Sequence, residues 1–368
     1  MSTKKDKFSL KDKDYMKLAI DLASARKGLT GDNPSVGCLI VKNNKLISIG
    51  QTGFNGKPHA EYNAINNSLE KIKGSKMYVT LEPCNHYGKT PPCTNNIIKS
   101  GISEIIYAMN DIDKKVKGKS YKILSNQNIK VKKGILLNEA KNLYDSYIVN
   151  RNKKLPYVTG KIAVSNNKLI YSKGIKKITD KSSDRLTHYL RYKNDSIMIS
   201  SKTLNIDNPR LNCRLKGLKK FSPKRIVLDK HLETKLNSYI IKSANKNNTI
   251  IFHNSSNKRK ISILKKKGIA LIKSKLDNKK LFYLKVILKK LYTLGTRNIL
   301  IEGGDKITKN LIKNRLIDKF YLFKSPKKLS INKKHQIFTS FRLLNNRYKK
   351  ISKISSKLVK DNITIYKR

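Results

Sequence analysis

The 368-residue sequence predicts an α/β protein with two domains. Two observations lead to this prediction. Short apolar runs alternate with helical patterns along most of the chain, which is typical of largely parallel sheets with a functional site at the strand ends. The length also suits two domains of ordinary size, each large enough to bury its own core. We place the boundary after residue 150, so that the predicted domains span 1–150 and 151–368.

The first domain begins with a helical pattern and continues as a hairpin, in which Asn43-Asn44 turns one apolar run back into the next. After Pro58 the apolar spacing is helical again and places His59 and Glu61 in the first turn of a helix. We predict helices over 13–27, from Ala60 through Ile72, over 94–99 and over 135–150, strands over 36–41, 46–49, 77–81 and 102–109, and a linker over 151–154.

The second domain repeats the alternation of strands and helices from about residue 155. A Gly303-Gly304 pair follows the last of the predicted strands and precedes a helical stretch from Ile307. Paired glycines at a helix start let backbone amides approach a pyrophosphate group. We predict strands over 157–164, 196–200, 225–228, 249–252 and 298–301, and a helix over 281–294.

The charge balance is strongly basic, with 82 Lys and Arg against 24 Asp and Glu and a formal net charge of +58. The basic residues are spread along the whole chain, and Lys greatly outnumbers Arg, which indicates a coding bias toward A/T-rich codons. We therefore predict no specific nucleic-acid partner, because net charge determines solubility and non-specific association. A protein that binds or edits RNA remains an alternative.

Cysteine content and hydropathy indicate the cellular compartment. Four cysteines in a chain of this length do not make a disulfide framework. The basic N-terminus has no apolar core that could serve as a signal sequence, and no apolar run approaches membrane-spanning length. These features predict a cytoplasmic protein with no membrane partner.

The most specific motif is His59-Ala60-Glu61, followed by Pro83-Cys84 and then by Cys93. One imidazole and two thiols can hold a zinc ion and leave one coordination position for water. His-x-Glu with a later Pro-Cys is the signature of zinc deaminases that act on nucleobases, in which the glutamate moves protons and is not a ligand. We therefore predict a zinc site at His59, Cys84 and Cys93, with Glu61 as the catalytic residue for hydrolytic removal of a ring amino group.

The segment between the two cysteines, residues 85–92, is much longer than in Cys-x-x-Cys deaminases. The pattern Thr-Leu-Glu-Pro-Cys-x-His-x-Gly-Lys-Thr-Pro-Pro-Cys, from Thr80 to Cys93, resembles the bifunctional riboflavin-biosynthesis deaminase/reductase family. The stretch from Asn33 to Cys38 is similar to that family as well. The resemblance covers essentially the whole first domain and, more loosely, the second.

For the first domain, the resemblance implies a cytidine-deaminase-like three-layer fold. It also implies zinc-dependent deamination of a small-molecule substrate, a diaminopyrimidinone ribosyl phosphate. The residues implied to contact that substrate are Asn33, His86, Lys89 and Asp111. Their chemistry agrees, since a lysine offers a point charge for phosphate and His86 and Asn33 can hydrogen-bond a ring edge. After Asp111 this chain reads Ile112-Asp113-Lys114, where the family usually has prolines.

For the second domain, the resemblance implies a dihydrofolate-reductase-like fold that uses NADPH to reduce the ribosyl group to ribityl phosphate. The implied substrate contacts are Arg191, Leu211, Arg214 and Glu302, and the implied cofactor contacts are Thr203, Asp207 and Gly304. A segment that reads Ser-Leu-Asp-Gly in the family is Ser165-Asn166-Asn167-Lys168 here, and Lys177 replaces a tryptophan. An alternative is therefore a deaminase whose second domain has only a structural or dimerising role. The resemblance further implies a homo-oligomer.

Overall fold

The computed structural model describes residues 8–88, 90–175, 177–331, 335–354 and 360–368. The chain divides into two compact units, Met1–Lys154 and Leu155–Arg368. Among the described residues, none of the helices has the length and apolar character needed to cross a bilayer.

The first unit is built on a five-stranded mixed sheet in the order β2-β1-β3-β4-β5. Strand β1 pairs antiparallel with both β2 and β3, whereas β3, β4 and β5 run parallel. The strands are β1 Gly37–Lys42, β2 Lys45–Gln51, β3 Lys76–Val79, β4 Glu104–Tyr107 and β5 Lys130–Lys133. The helices are α1 Leu10–Arg26, α2 Ala60–Asn66, α3 Cys93–Lys99, α4 Lys119–Ser125, α5 Leu137–Leu143 and α6 Asp145–Lys153.

Two glycines let helices pack closely on opposite faces of this sheet. A Cβ at Gly37 would lie 2.0 Å from the carbonyl oxygen of Ala19 in α1, and a Cβ at Gly50 would lie 2.2 Å from that of Ala60 in α2. Gly50 lies opposite Cys38, the neighbour of Gly37, so the two glycines face opposite sides of the pleat. The unit therefore has three layers, helix–sheet–helix, as predicted.

The predicted helices of this unit differ from the structure in their bounds. The first, predicted over 13–27, spans Leu10–Arg26. The helix after Pro58 ends at Asn66, and Leu69 is fully exposed. The hydroxyl of Ser68 accepts a hydrogen bond from the amide of Glu70. This local hydrogen bond competes with the backbone hydrogen bonds that a longer helix would need. The single helix predicted over 135–150 is two helices, α5 and α6, which meet at the buried Tyr144.

Helix α6 also overturns the predicted linker over 151–154. It continues to Lys153, and Lys154 ends it in a left-handed conformation with φ 54°. Arg151 therefore lies in the last turn of a helix of the first unit and not in a linker.

The second unit is built on a nine-stranded sheet in the order β11-β10-β9-β8-β12-β6-β13-β16-β15, with a separate pair, β7 and β14. The strands from β11 to β13 in this order run parallel to one another. Strand β16 pairs antiparallel with β13, and β15 pairs antiparallel with β16. The strands are β6 Tyr157–Val164, β7 Leu169–Ser172, β8 Ser196–Ser200, β9 Lys224–Leu228, β10 Thr249–His253, β11 Ala270–Lys273, β12 Asn298–Ile301, β13 Lys319–Lys324, β14 His335–Ile337, β15 Lys350–Ile354 and β16 Asn362–Lys367.

The helices of the second unit connect these strands and cover the sheet. They are α7 Lys181–Tyr192, α8 Ser201–Asp207, α9 Tyr239–Lys242, α10 Lys258–Lys266, α11 Leu284–Thr293, α12 Asp305–Lys313 and α13 Phe341–Arg347. Two buried apolar clusters fill the unit, one around Phe320 and Leu311 and the other around Phe323 and Leu264. The parallel arrangement brings the carboxyl ends of β8, β9 and β12 to one edge, which is where parallel sheets place their ligand sites.

Candidate functional sites

The ends of three elements of the first unit bring the predicted metal ligands together. His59 is the N-cap of α2, Cys84 lies in the loop that follows β3, and Cys93 is the first residue of α3. The Nδ1 atom of His59 is 3.2 Å from the Sγ atom of Cys93 and 3.5 Å from that of Cys84. All three ligand atoms lie within 4.8 Å of one another, so they can share one ion.

The electrostatics of the two thiols suit a cation. A hydrogen bond from Cys93 lowers the pKa of Cys84 to about 4, and a hydrogen bond with His59 acts in the same direction. The backbone amide of Cys93 also donates to the Cys84 sulfur at 3.3 Å. The hydrogen bond with Cys84, together with burial, raises the pKa of Cys93. One imidazole nitrogen and two sulfurs are the donors that zinc prefers, and three protein ligands leave a fourth tetrahedral position open.

Glu61 lies in the first turn of α2, two residues after His59, and its carboxyl group is buried. Burial, and to a smaller extent the negative charge on Cys84, raises its pKa against a lowering by His59, and the resulting pKa is about 7. A carboxyl group with a pKa near neutrality can both accept and return a proton at physiological pH. Its position and its proton affinity are those of a general acid–base.

A cavity of about 520 Å³ opens beside this cluster and is lined by His59, Glu61 and Cys84. Asn33, His86 and Asp111, which were predicted to contact the substrate, line the same cavity. The predicted Lys89 lies outside the described residues. The structure thus brings together residues that are separated by up to 78 positions in the chain.

Loop interactions hold two of these side chains in place. The amide of Asn33 donates a 2.9 Å hydrogen bond to the carbonyl oxygen of Gly56. The Asp111 carboxylate accepts hydrogen bonds from the hydroxyl of Tyr147 at 3.0 Å and from the amide of Asp113 at 2.9 Å. Burial raises the pKa of Asp111 despite these two donors.

Glu82 was not predicted as a site residue, although it lies in the motif from Thr80 to Cys93. Its buried carboxylate accepts hydrogen bonds from the backbone amides of Asp111, Gly118 and Ser120, at 3.0–3.2 Å. Glu82 therefore ties the metal-ligand loop to the loop that carries Asp111. The signal in the sequence was an acidic residue placed between a predicted strand and a predicted metal ligand.

A second cavity, of about 870 Å³, lies at the carboxyl ends of β8, β9 and β12 in the second unit. Four predicted contacts line it, namely Thr203, Asp207, Glu302 and Gly304. Gly304 is the N-cap of α12, and a Cβ at this position would have no neighbour closer than 3.9 Å, the side chain of Gln336. The backbone at this helix start is therefore open to the cavity, as binding of a pyrophosphate group requires.

Three other predicted contacts are not among the residues that line this cavity. Arg191 donates from Nε and Nη2 to the two carboxylate oxygens of Glu302, each at 2.8 Å, so it holds a residue of the cavity. Leu211 is buried in the apolar core with φ 53°. The Nη1 atom of Arg214 donates to the side-chain oxygen of Asn212 at 3.2 Å.

Comparison with known proteins identifies the relatives of the chain. Residues 9–109 match the cytidine and deoxycytidylate deaminase zinc-binding region, and residues 156–360 match the RibD C-terminal domain. The riboflavin biosynthesis protein RibD of Aquifex aeolicus is 37% identical over 318 residues, which cover 86% of this chain and 87% of that protein. The chain belongs to the RibD family. The resemblance inferred from the sequence is thereby confirmed.

Solved structures of the RibD family support the same assignment over both units. Acinetobacter baumannii RibD superposes with a TM-score of 0.82 and 26% identity, covering 97% of this chain and 98% of that chain. A diaminohydroxyphosphoribosylaminopyrimidine deaminase/5-amino-6-(5-phosphoribosylamino)uracil reductase from Thermotoga maritima superposes with a TM-score of 0.80 and 28% identity, over the same shares.

The protein is thus a bifunctional enzyme of riboflavin biosynthesis, with a zinc-dependent deaminase domain and an NADPH-dependent reductase domain. The two alternatives, a deaminase with a purely structural second domain and an RNA-binding or RNA-editing deaminase, are less well supported than this assignment.

The segment that departs from the RibD family pattern is well ordered by its own interactions. Asn167 accepts a hydrogen bond from the amide of Leu329 and donates one to the carbonyl oxygen of the same residue. An aspartate could make only the first of these bonds, so the amide compensates structurally for the lost charge. Lys168 has φ 65°, a conformation that favours the glycine of the family pattern.

Proposed function

We propose that the first domain hydrolytically deaminates a diaminopyrimidinone ribosyl phosphate. We propose further that the second domain then reduces the ribosyl group of the product to ribityl phosphate with NADPH. The observation that carries this proposal is the cluster of His59, Cys84 and Cys93, with a buried Glu61 in the wall of the same cavity.

In this proposal His59, Cys84 and Cys93 hold zinc, which when bound supplies a Lewis acid that activates water for attack on the ring. Glu61 accepts one proton of the attacking water at its carboxylate and passes it to the ring nitrogen. It then accepts the second proton, from the hydroxyl group now on the ring carbon, and passes it to the departing amine. Its raised pKa supports both steps, because the group can be restored to its starting state near neutral pH.

Substrate positioning in the first cavity falls to Asn33, His86 and Asp111. The Asp111 carboxylate is held by Tyr147 and by the amide of Asp113, and therefore offers its remaining lone pairs to ring amino groups in a defined direction. Lys89, which lies outside the described residues, is proposed to provide a positive charge for the phosphate.

In the second cavity, we assign the cofactor to the wall formed by Thr203, Asp207 and Gly304. NADPH supplies the hydride when it is bound. Glu302 is proposed to bind the substrate, oriented by its two hydrogen bonds with Arg191. Leu211 and Arg214 remain proposed substrate contacts on the neighbouring loop.

A coupled assay tests the proposal. Zinc-loaded protein is incubated with the diaminopyrimidinone ribosyl phosphate. Ammonia is measured first, and the absorbance of NADPH is followed afterwards. We expect stoichiometric ammonia release followed by NADPH oxidation. Ammonia release without NADPH oxidation would instead support a deaminase with a structural second domain, and release of neither would refute the proposal.

We also propose that the protein is a cytoplasmic homo-oligomer that has no specific nucleic-acid partner. The four cysteines are free thiols, which agrees with a reducing compartment. Light scattering of the purified protein should give a mass that is a multiple of 42.1 kDa. A monomer at micromolar concentration would refute the oligomer, and RNA binding that persists at high salt would refute the absence of a nucleic-acid partner.

A further inference from the structure

Helix α6 contributes two side chains to the first cavity, beside the predicted zinc ligands. Tyr147 and Arg151 are four residues apart, which places them on the same face of the helix, and both line the cavity. The guanidinium carbon of Arg151 lies 5.2 Å from the centre of the Tyr147 ring. The tyrosine therefore supports the arginine in an orientation that faces the cavity.

The same face of α6 holds the loop that carries the predicted substrate contact Asp111. The Tyr147 hydroxyl donates to Asp111, and the Nη1 atom of Arg151 is 3.8 Å from a carboxylate oxygen of Asp113. The side chains of Arg151 and Asp113 are 34% and 28% exposed. A long ion pair that is partly open to water is weak, so a phosphate group can compete with Asp113 for the arginine.

The charges of the described residues in the cavity wall favour such a contact. The described residues that line it include five carboxylates but only two side chains of the Lys and Arg type, Lys57 and Arg151. The carboxylates are Asp32, Glu61, Glu82, Asp111 and Asp113. A doubly negative phosphate is repelled by such a wall unless a cation lies beside it, and an arginine fork matches phosphate geometry with two parallel hydrogen bonds.

We propose that Arg151 is a specificity-determining residue of the deaminase, which recognises the phosphate end of its substrate while Tyr147 orients it. This inference rests on the proposed deamination, and it assigns a task to a residue that the sequence pattern had placed in a linker. It predicts that Arg151 contributes to substrate binding and not to the proton transfers of Glu61.

The test compares Arg151→Met with Lys153→Met in the zinc-loaded full-length protein. Lys153 lies in the same helix, is exposed and does not line the cavity, so it controls for the loss of one positive charge. Ammonia release is measured with the ribosyl phosphate substrate and with the same diaminopyrimidinone carrying an unphosphorylated ribosyl group. Zinc content and melting temperature are measured for each variant.

We expect Arg151→Met to raise the KM for the phosphorylated substrate about tenfold or more, the usual effect of losing a charge-assisted contact. It should change kcat and the KM for the unphosphorylated substrate by no more than about twofold relative to the wild type, which is too little to indicate the loss of a contact. Lys153→Met should leave all these constants unchanged. An unchanged KM in Arg151→Met, or an equal rise for both substrates, would overturn the inference.

A second variant covers the case in which Arg151→Met does not fold. Asp113→Asn removes the negative charge that competes for Arg151 but keeps the side-chain oxygen that accepts from the amide of Lys115. We expect it to lower the KM for the phosphorylated substrate only, and an unchanged or raised KM would contradict the inference. If the wild-type protein releases no ammonia, the proposed deamination itself fails, which is a different result from an active enzyme that is insensitive to these variants.

Discussion

Arg191 and Glu302 form a two-pronged ion pair, in which Nε and Nη2 of the arginine are each 2.8 Å from a different carboxylate oxygen of the glutamate. Arg191 lies near the end of α7, and Glu302 directly follows β12 at the edge of the reductase cavity. Their side chains are only 11% and 13% exposed. Charge attraction from Arg191 lowers the pKa of Glu302 although burial opposes it, so the pair is ionised at neutral pH.

We expect Arg191→Met to destabilise the second domain by about 3–5 kcal/mol, because it leaves the Glu302 carboxylate buried without a partner. The double variant Arg191→Met with Glu302→Leu should recover most of this loss, since removing both charges also removes the desolvation penalty. Urea denaturation of the full-length protein measures both effects. A loss of less than about 1 kcal/mol in the single variant, the value of an exposed pair, would contradict the prediction.

Substitutions at the metal cluster should separate zinc binding from proton transfer. Cys93→Ser should lose bound zinc, whereas Glu61→Gln should retain it and release ammonia about 10²–10⁴ times more slowly, the usual contribution of a general acid–base. Cys213→Ser changes a buried cysteine of the other unit and serves as the control, with unchanged zinc content. Metal analysis and the ammonia assay give the two readouts. Full activity in Glu61→Gln would rule out the assigned proton transfer.

The two glycines before α12 should respond differently to alanine. A Cβ at Gly303 would lie 2.1 Å from Cγ2 of Ile307, so Gly303→Ala should destabilise the domain by about 1–3 kcal/mol through overpacking. A Cβ at Gly304 would have ordinary space, because its nearest neighbour, Oε1 of Gln336, is 3.9 Å away. Gly304→Ala should therefore keep its melting temperature and raise the KM for NADPH about fivefold, roughly 1 kcal/mol. An unchanged KM would place the cofactor elsewhere.

Lys168→Gly should stabilise the protein by about 0.5–1 kcal/mol, because the left-handed backbone costs a non-glycine residue more than glycine loses in chain entropy. Lys168 has φ 65°, between β6 and β7. Thermal unfolding should show a rise of about 2–4 °C. Lys265→Gly, within α10, should have the opposite sign and serves as the comparison. A lower melting temperature for Lys168→Gly would show that its side chain contributes more than the strain costs.

The pH dependence of stability should report on His188 in α7. Burial lowers its pKa to about 4, and the positive charges of Arg191 and Arg214 act in the same direction. The unfolded chain then binds more protons than the folded one between about pH 6.5 and 4, so stability should fall as pH decreases through this window. His188→Gln should show a flatter profile in urea denaturation. Equal slopes for the wild type and this variant would contradict the shift.

The chemistry of the first site could be predicted from the sequence because its ligand types, order and spacing are local properties of the chain. His59, Cys84 and Cys93 each lie at the end of an element that the apolar pattern indicated, and ends of neighbouring elements meet at one edge of a sheet. The hairpin at Asn43-Asn44 was equally clear, since both residues adopt positive φ as its turn requires.

Other features depend on contacts between segments that are distant in the chain, and no local pattern reports them. The break between α5 and α6 follows from burial of Tyr144, whose hydroxyl pairs with Thr80, 64 residues earlier. Arg151 becomes part of a cavity wall because α6 packs beside the loop of Asp113.

The sequence by itself determined which side chains were available for zinc chemistry, because periodicity, turn residues and ligand spacing are encoded over a few positions. Only the tertiary structure decided which of the predicted contacts face a cavity and which instead hold another residue in place, as Arg191 holds Glu302 through two hydrogen bonds. The physical reason is that a charged group reaches its final partner only after packing has removed water and brought remote segments within hydrogen-bond distance.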